Sequence, residues 1–526
     1  MNTPTTLALI CTLMPPVLMA VFALTVRSMP SPAAAWRVFQ GVSALSLGAA
    51  LASLAAVLWF GPASAWGGLG LAQSTQGAWL VVLVQLLGTV VGGFSARYLQ
   101  GEGGQTRYVA ALAGVLASVH VLLLANHWLV LIAAWAAVGF VLQQLLCFYP
   151  DRPFAALAAH KKRMADRMAD MLLLAAAAMA WVEVGSASFT DLKNHLAQGP
   201  VSVLLQGSAV CLVLAVVLRT ALLPVHGWLI QVMEAPTPVS ALLHAGVINL
   251  GAFVLIRLAP LLEAAPLAQW LLVVCGLLTA MLAGLVMLTR VSIKVRLAWS
   301  TVAQMGFMLL QCGLGLYSLA LLHLLGHSLY KAHAFLVSSS VVRYTKHQTM
   351  MGQSNAHALS LWLAPVVSAG VVASVNSGLA LWLGGTAWPL WWSAIMALAW
   401  APLLWVSQTP LVFGSARIWQ WATGVGLVAL LSFMAGVVHA LPLGVVDAPN
   451  NQAGVLAVVG MAALYVCLAV LQYKPNALSV WHRWSYAGFY LDEFYTRLAL
   501  KLMPGGWMPS PLMAMQTQRD APAHGT

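Results

Sequence analysis

His323, His327 and Lys331 recur every four residues inside an apolar run from about Tyr317 to Val342. Side chains at i, i+4 and i+8 of a helix share one stripe. A lysine at the centre of a bilayer costs on the order of 3 kcal/mol by insertion scales, so three titratable groups on one apolar stripe call for a use. The chemistry open to such a line is the handing on of protons or cations. Imidazoles exchange protons near neutral pH, and desolvation lets a lysine release its own more readily. The plainer reading makes Lys331 a structural tie to helix ends. Zinc held by His323 and His327 would need further ligands, and none stands at a suitable spacing.

The elements that position this stripe follow from composition. The chain has 526 residues, is 61% hydrophobic and only 7% charged, with mean hydropathy +0.88. A soluble domain carries about 25% charged residues. The chain is therefore an all-α polytopic membrane protein. Apolar runs of the length that spans a bilayer number about fifteen, the first from near Leu7 and the last from near Gly454. Net charge is +12, from 24 Lys+Arg against 12 Asp+Glu. The basic residues sit between spans, so this excess needs no nucleic acid. They gather in the loops after odd-numbered spans: Arg27 and Arg37, Arg97 and Arg107, the cluster from Arg152 to Arg167, Arg290 with Lys294 and Arg296, Arg343 with Lys346, Arg417, and the tail from Lys474. Lys193 and Arg257 are the exceptions. The positive-inside rule then places the N-terminus outside and the C-terminus in the cytoplasm. The six cysteines are scattered in apolar runs and read as small buried hydrophobes. The run Thr5–Val26 lacks a basic leader and reads as a first span rather than a removed signal.

Two runs carry interruptions. Val201–Leu223 meets Pro224, then Pro236-Thr-Pro238, and Arg219 lies a turn before the break. A milder interruption is expected at Pro365. A broken helix survives in a membrane only where protein or a water-filled cavity satisfies its backbone, and transporters place such breaks at their sites. Polar stretches at Cys147–Arg167 and Gly185–Pro200 read as loops. The cluster His160-Lys-Lys-Arg163 reads as a topological charge, and Lys294 fits either a relay or a loop anchor. The aromatic, mixed-charge segment Trp481–Leu498 reads as an interfacial helix or as a docking surface for a partner. Met503–Thr526 is expected to be disordered.

The stretch Leu223–Gly246, with Pro224-Val-His-Gly-Trp and Ala235-Pro-Thr-Pro-Val-Ser-Ala-Leu-Leu-His244, closely resembles a signature of the antiporter-like membrane subunits. These are the ion-translocating subunits of respiratory complex I (subunit L type) and of the Mrp cation/proton antiporters. Ser292–Met308 resembles the same family, and the match covers about Phe94 to Gly352. The resemblance implies two inverted five-helix repeats, each with a broken helix, and a central line of charged residues joining two half-channels. Carried over by position, Arg219 matches the lysine on the first broken helix. Asp170 matches an acid near the start of the helix after the Cys147–Arg167 loop, and His244 the histidine after the Pro-Thr-Pro loop. Lys294, His323, His327 and Lys331 match the central and second-channel residues. Glu234 sits in the interrupted loop, as in several members.

The departures are informative. The family's Trp-Glu-x-x-Gly motif stands here as Trp135-Ala136-Ala137-Val138-Gly139, so the first-channel glutamate is lost. Its lysine partner is Arg219, which holds its proton at any working pH. The lysine of the second broken helix is also missing. This pattern resembles the DabB family, the membrane subunits of a bacterial inorganic-carbon accumulation system. That resemblance implies a non-enzymatic subunit of the bacterial inner membrane that passes protons, or else Na⁺. The flux would energise a DabA-like zinc protein on the cytoplasmic side for uptake of CO2 or bicarbonate. The zinc would belong to that partner, with no cofactor in this chain. Other readings are a subunit of a complex I-like or Mrp-type antiporter, and a non-conducting scaffold. The implied organisation is residues 1–95 as N-terminal helices, 96–410 as the antiporter-like core, 411–475 as C-terminal helices, and 476–526 as interfacial helix and tail.

Overall fold

The computed structural model describes residues 3–62, 68–149, 151–199, 201–338, 356–383, 388–406, 414–474 and 477–503. Arg343, Lys346 and the stretch after Met503 lie outside the described residues. All regular elements among the described residues are helices, with two isolated bridges, Leu71 to Ala125 and His127 to Ser188. Five spans come first: α1 (Thr3–Thr25), α2 (Pro32–Phe60), α3 (Thr75–Tyr98), α4 (Gln105–Leu124) and α5 (Trp128–Leu146). The long α6 (Pro153–Val184), the short α7 (Phe189–Leu196) and α8 (Val203–Arg219) follow, then a turn of helix, α9 (Gly227–Gln231). A kinked pair comes next, α10 (Thr237–Ala245) and α11 (Leu250–Arg257), with α12 (Ala259–Glu263) at its end. The chain continues through α13 (Pro266–Leu288), α14 (Ile293–Gly313) and α15 (Tyr317–Leu336). It ends with α16 (Ala358–Leu383), α17 (Leu390–Trp400), α18 (Gly414–His439), α19 (Asn451–Tyr473), α20 (Ser479–Tyr486) and α21 (Leu491–Leu502).

Ten of these stretches among the described residues are long and apolar enough to cross a membrane, the α10–α11 pair counting as one. The shorter apolar stretches Val203–Arg219 and Leu390–Leu404, with the more polar α6, α14 and α15, account for the remaining expected runs. Helix starts follow local chemistry. Ser31 and Ser74 each accept a bond from a backbone N–H three residues on, at 3.2 Å, and Pro32 opens α2. Without a hydrophobic drive inside lipid, helices are held by close packing of small residues. A Cβ on Gly276 of α13 would lie 2.7 Å from the Gly306 carbonyl of α14, so these backbones touch. The C-terminal helices form a separate core around Ala364, Val372 and Tyr465.

Several expectations are corrected. The Cys147–Arg167 stretch is mostly helix, because α6 starts at Pro153, so Asp170 stands in mid-helix rather than near a start. Its third turn stays helical because its charges find partners. Lys161 and Lys162 are buried, not loose topological charges, and bind Asp492 and Asp166. Pro365 does not interrupt its run, since α16 continues through it. A proline cannot bond the carbonyl four residues back. The Tyr465 hydroxyl replaces that bond, donating to Leu361 O at 2.8 Å.

The tail segment docks on its own chain. Asp492 of α21 accepts from Lys161 Nζ at 2.5 Å and from Gln231 Nε2 of α9 at 3.1 Å. Thr496 Oγ1 also takes the Lys161 ammonium at 2.8 Å, and the Tyr495 hydroxyl donates to Lys161 O at 2.8 Å. Burial pushes the Tyr495 hydroxyl up, so it keeps the proton it donates. Gly227 permits this approach: a Cβ there would sit 1.4 Å from Asp492 Oδ1. Trp481, Trp484, Tyr490 and Phe494 face outward from the same segment. Asp492→Ala leaves the Lys161 ammonium buried without a counter-charge and is expected to cost about 3 kcal/mol. Thermal unfolding in detergent should show it, with Asp492→Asn losing less because its amide oxygen still accepts.

Candidate ion-translocation site

The stripe on α15 begins where a capped helix starts. Asp447, in the segment before α19, accepts from Ser318 N at 2.7 Å and from the Ser318 hydroxyl. A carboxylate there suits the positive end of the helix dipole. One turn further in, His323 sits between two glutamines of α14, its Nδ1 2.8 Å from Gln311 Oε1 and its Nε2 2.8 Å from Gln304 Oε1. An imidazolium donates to both oxygens. A neutral ring donates to one and needs the other amide turned to present its NH2. Gaining or losing a proton at His323 is thus coupled to an amide rotation.

His327 follows, its ring centroid 6.1 Å from that of His323. It is buried, and neither ring nitrogen has a hydrogen-bond partner among the described residues. Lys331 is completely buried. Its ammonium donates to Leu297 O at 3.0 Å and to the Ser300 hydroxyl, both on α14. Among the described residues no carboxylate pairs with it. His244 stands across from this stripe, stacked on Phe335 of α15 at 4.5 Å, buried and without a hydrogen bond among the described residues. It ends α10 where the helix kinks at Gly246 (φ −115°, ψ −75°). The kink frees Ala245 O, and Asn249 Nδ2 satisfies it at 2.8 Å while also donating to Ser328 of α15 at 2.8 Å. A cavity of about 10 Å3 beside Gly246, Asn249 and Ser328 has room for about one water.

A second polar line crosses the first half of the bundle. Arg219 closes α8, and the backbone breaks after it, with Ala221 at φ +53°. Its guanidinium donates to Trp135 O at 2.9 Å and to Asp170, and stands 4.7 Å from the Trp135 ring. Asp170 therefore pairs with Arg219. Along α6, Lys162, Asp166 and Asp170 recur every four residues. Lys162 binds Asp166, whose carboxylate would meet a Cβ on Gly139 at 2.7 Å. This line repeats the spacing of His323, His327 and Lys331, which is the signal that sequence reading passed over. Lys294 does not join either line: its Nζ donates to Thr237 Oγ1 at 2.9 Å, tying the first turn of α14 to that of α10. Glu234 contributes its carbonyl to Arg152 at 2.5 Å. Gln304, Gln311, Ser300 and Asn249 went unnoticed in the sequence, since neutral polar residues inside apolar helices carry no periodic signature of their own.

A helix broken beside a buried guanidinium, followed by a kinked helix and a polar stripe, defines a membrane subunit of the antiporter-like class. Residues 125–384 match the transmembrane family of NADH:quinone oxidoreductases and Mrp antiporters. The backbone is similar to the Mrp complex of Dietzia sp. over 99% of this chain and 58% of that one (TM-score 0.57, 21% identity). It is also similar to an archaeal membrane-bound sulfane sulfur reductase over 89% of this chain and 76% of that one (TM-score 0.56, 16% identity). At these identities the likeness is one of fold. Sequence relatives are nearer. A probable inorganic carbon transporter subunit DabB of Hydrogenovibrio crunogenus is 38% identical over 78% of this chain and 79% of its own. A probable subunit DabB2 of Halothiobacillus neapolitanus is 44% identical over 60% and 58%. The chain belongs to the DabB family.

The buried Arg219–Asp170 pair makes a direct expectation. Asp170→Ala leaves the buried guanidinium without its counter-charge and should cost about 3 kcal/mol, whereas replacing both residues by leucine should recover most of it. A double-mutant cycle on detergent unfolding temperatures measures the difference.

Proposed function

We propose that this chain passes a cation, in the first instance the proton, along His323, His327 and Lys331, and that the flux energises inorganic-carbon uptake by a zinc-bearing partner. The observation that carries the reading is Lys331: a fully buried ammonium that, among the described residues, is hydrogen-bonded only to a carbonyl and a hydroxyl, one turn from an imidazole without a hydrogen-bond partner among the same residues. Neutral oxygens stabilise either form of the amine, whereas a carboxylate would pin the charge. Arg219, by contrast, is tied to the Asp170 carboxylate. The first half of the bundle then contributes a fixed dipole rather than a carrier. The chain sits in the bacterial inner membrane with its basic loops and C-terminus in the cytoplasm, by the positive-inside rule. A DabA-like zinc protein docks on that side and performs the carbon chemistry. One charge crossing 100 mV releases about 2.3 kcal/mol, enough to bias a partner's two-state equilibrium roughly 50-fold.

A carbonic-anhydrase-deficient bacterial host growing in air tests this. Rescue should require both genes, and Lys331→Ala should abolish it at unchanged protein level. Lys331→Arg should fail as well, since a guanidinium fills the place without releasing a proton. Full rescue by Lys331→Arg would show that the ammonium serves only as a fixed charge.

A further inference from the structure

Lys193 and Arg257 are the two basic residues that break the charge asymmetry of the loops. Both line a single cavity of about 710 Å3. It lies at the end of the bundle opposite the Lys161–Asp492 contact, built from the segments that follow α2, α4, α6, α11 and α18. The volume falls in the range of small-molecule sites. Arg257 is half-buried at the end of α11. Its one hydrogen bond among the described residues is to Asn126 Oδ1 at 3.3 Å, and no carboxylate pairs with it. Asn126 is held in that orientation because its amide donates to Thr190 at 2.9 Å. Lys193 of α7 is exposed on the same cavity and likewise unpaired among the described residues.

A third positive contribution comes from the backbone. Ser74, Thr75 and Gln76 line the cavity, so the N-terminal turn of the 24-residue α3 faces it. Ser74 caps only the Gly77 N–H, and the first turn of a helix carries partial positive charge. Glu263 is the one opposing carboxylate in the lining, which leaves two formal positive charges against one negative. A guanidinium with most of its donors unused among the described residues, an ammonium and a helix N-terminus around one cavity form a field that selects small anions with several acceptor oxygens.

We propose that this cavity binds a small inorganic oxyanion, bicarbonate in the cell, between Arg257, Lys193 and the start of α3. The choice of bicarbonate rests on the inorganic-carbon reading above; the anion site itself does not. The site would gather the anion at the face opposite the cytoplasmic loops.

The test uses the full chain in lipid nanodiscs and 13C-labelled bicarbonate, with binding read by saturation-transfer NMR. Saturable binding is expected, displaced by nitrate in about tenfold excess, and weakened at least about fivefold in the double variant Lys193→Gln/Arg257→Gln. Glu263→Gln should tighten it. Unchanged elution and unfolding temperature check that the double variant folds, as both side chains face the cavity. No saturable binding, binding unchanged in the double variant, or no displacement by nitrate would each overturn the site. Lys331→Ala separates the two readings. Growth without Lys331 alongside intact bicarbonate binding removes the translocation reading and leaves the site standing. Loss of growth without Lys331, with no anion bound, does the reverse.

Discussion

Hydrocarbon offers no hydrogen bonds, so backbone groups freed at a break within it must be matched by the protein itself. The irregular parts of this chain are explained by that requirement. Where α8 breaks, the last side chain before the break, Arg219, is held by a carbonyl of α5 and a carboxylate of α6. Where α10 kinks, Asn249 takes up the released carbonyl. Where Pro365 deprives Leu361 of its bond, Tyr465 reaches over from α19. Each irregularity is bound to a neighbouring helix by the group that satisfies it, so the breaks double as crosslinks.

The two polar lines obey the same requirement in opposite ways. On α6 the charges neutralise one another: Lys162 with Asp166, and Asp170 with Arg219. On α15 the partners are neutral amides, a hydroxyl and a carbonyl. Dipoles of that kind solvate a charge without fixing it. One line is therefore a set of ion pairs and the other a set of titratable groups among neutral dipoles, although both repeat at four residues.

The architecture was largely legible because it follows from composition and period. The apolar runs and the broken helix near Arg219 stand in the structure as helices and a real break. The stripe on α15 was legible for the same reason, since titratable residues stand out against apolar neighbours. The start of α6 was not. Its charges resemble a loop until Asp492 and Asp166 are known to pair with them, and Asp492 is 331 residues away from Lys161. The continuity of α16 was hidden likewise, because only Tyr465, 104 residues from Leu361, makes the proline tolerable. Local rules failed wherever a distant side chain supplied the missing partner.

The span between Lys161 and Asp492 also sets a schedule for biogenesis. Translation at about 5–20 residues per second separates the emergence of these two residues by roughly 15–70 s. Through that interval α6 is already made and its lysine lacks the carboxylate that will bury it. An uncompensated ammonium keeps its hydration, so this end of the bundle stays wet until the tail arrives. Closure around α6 and α9 is then among the last events of assembly, ordered by the ribosome rather than by local helix propensity.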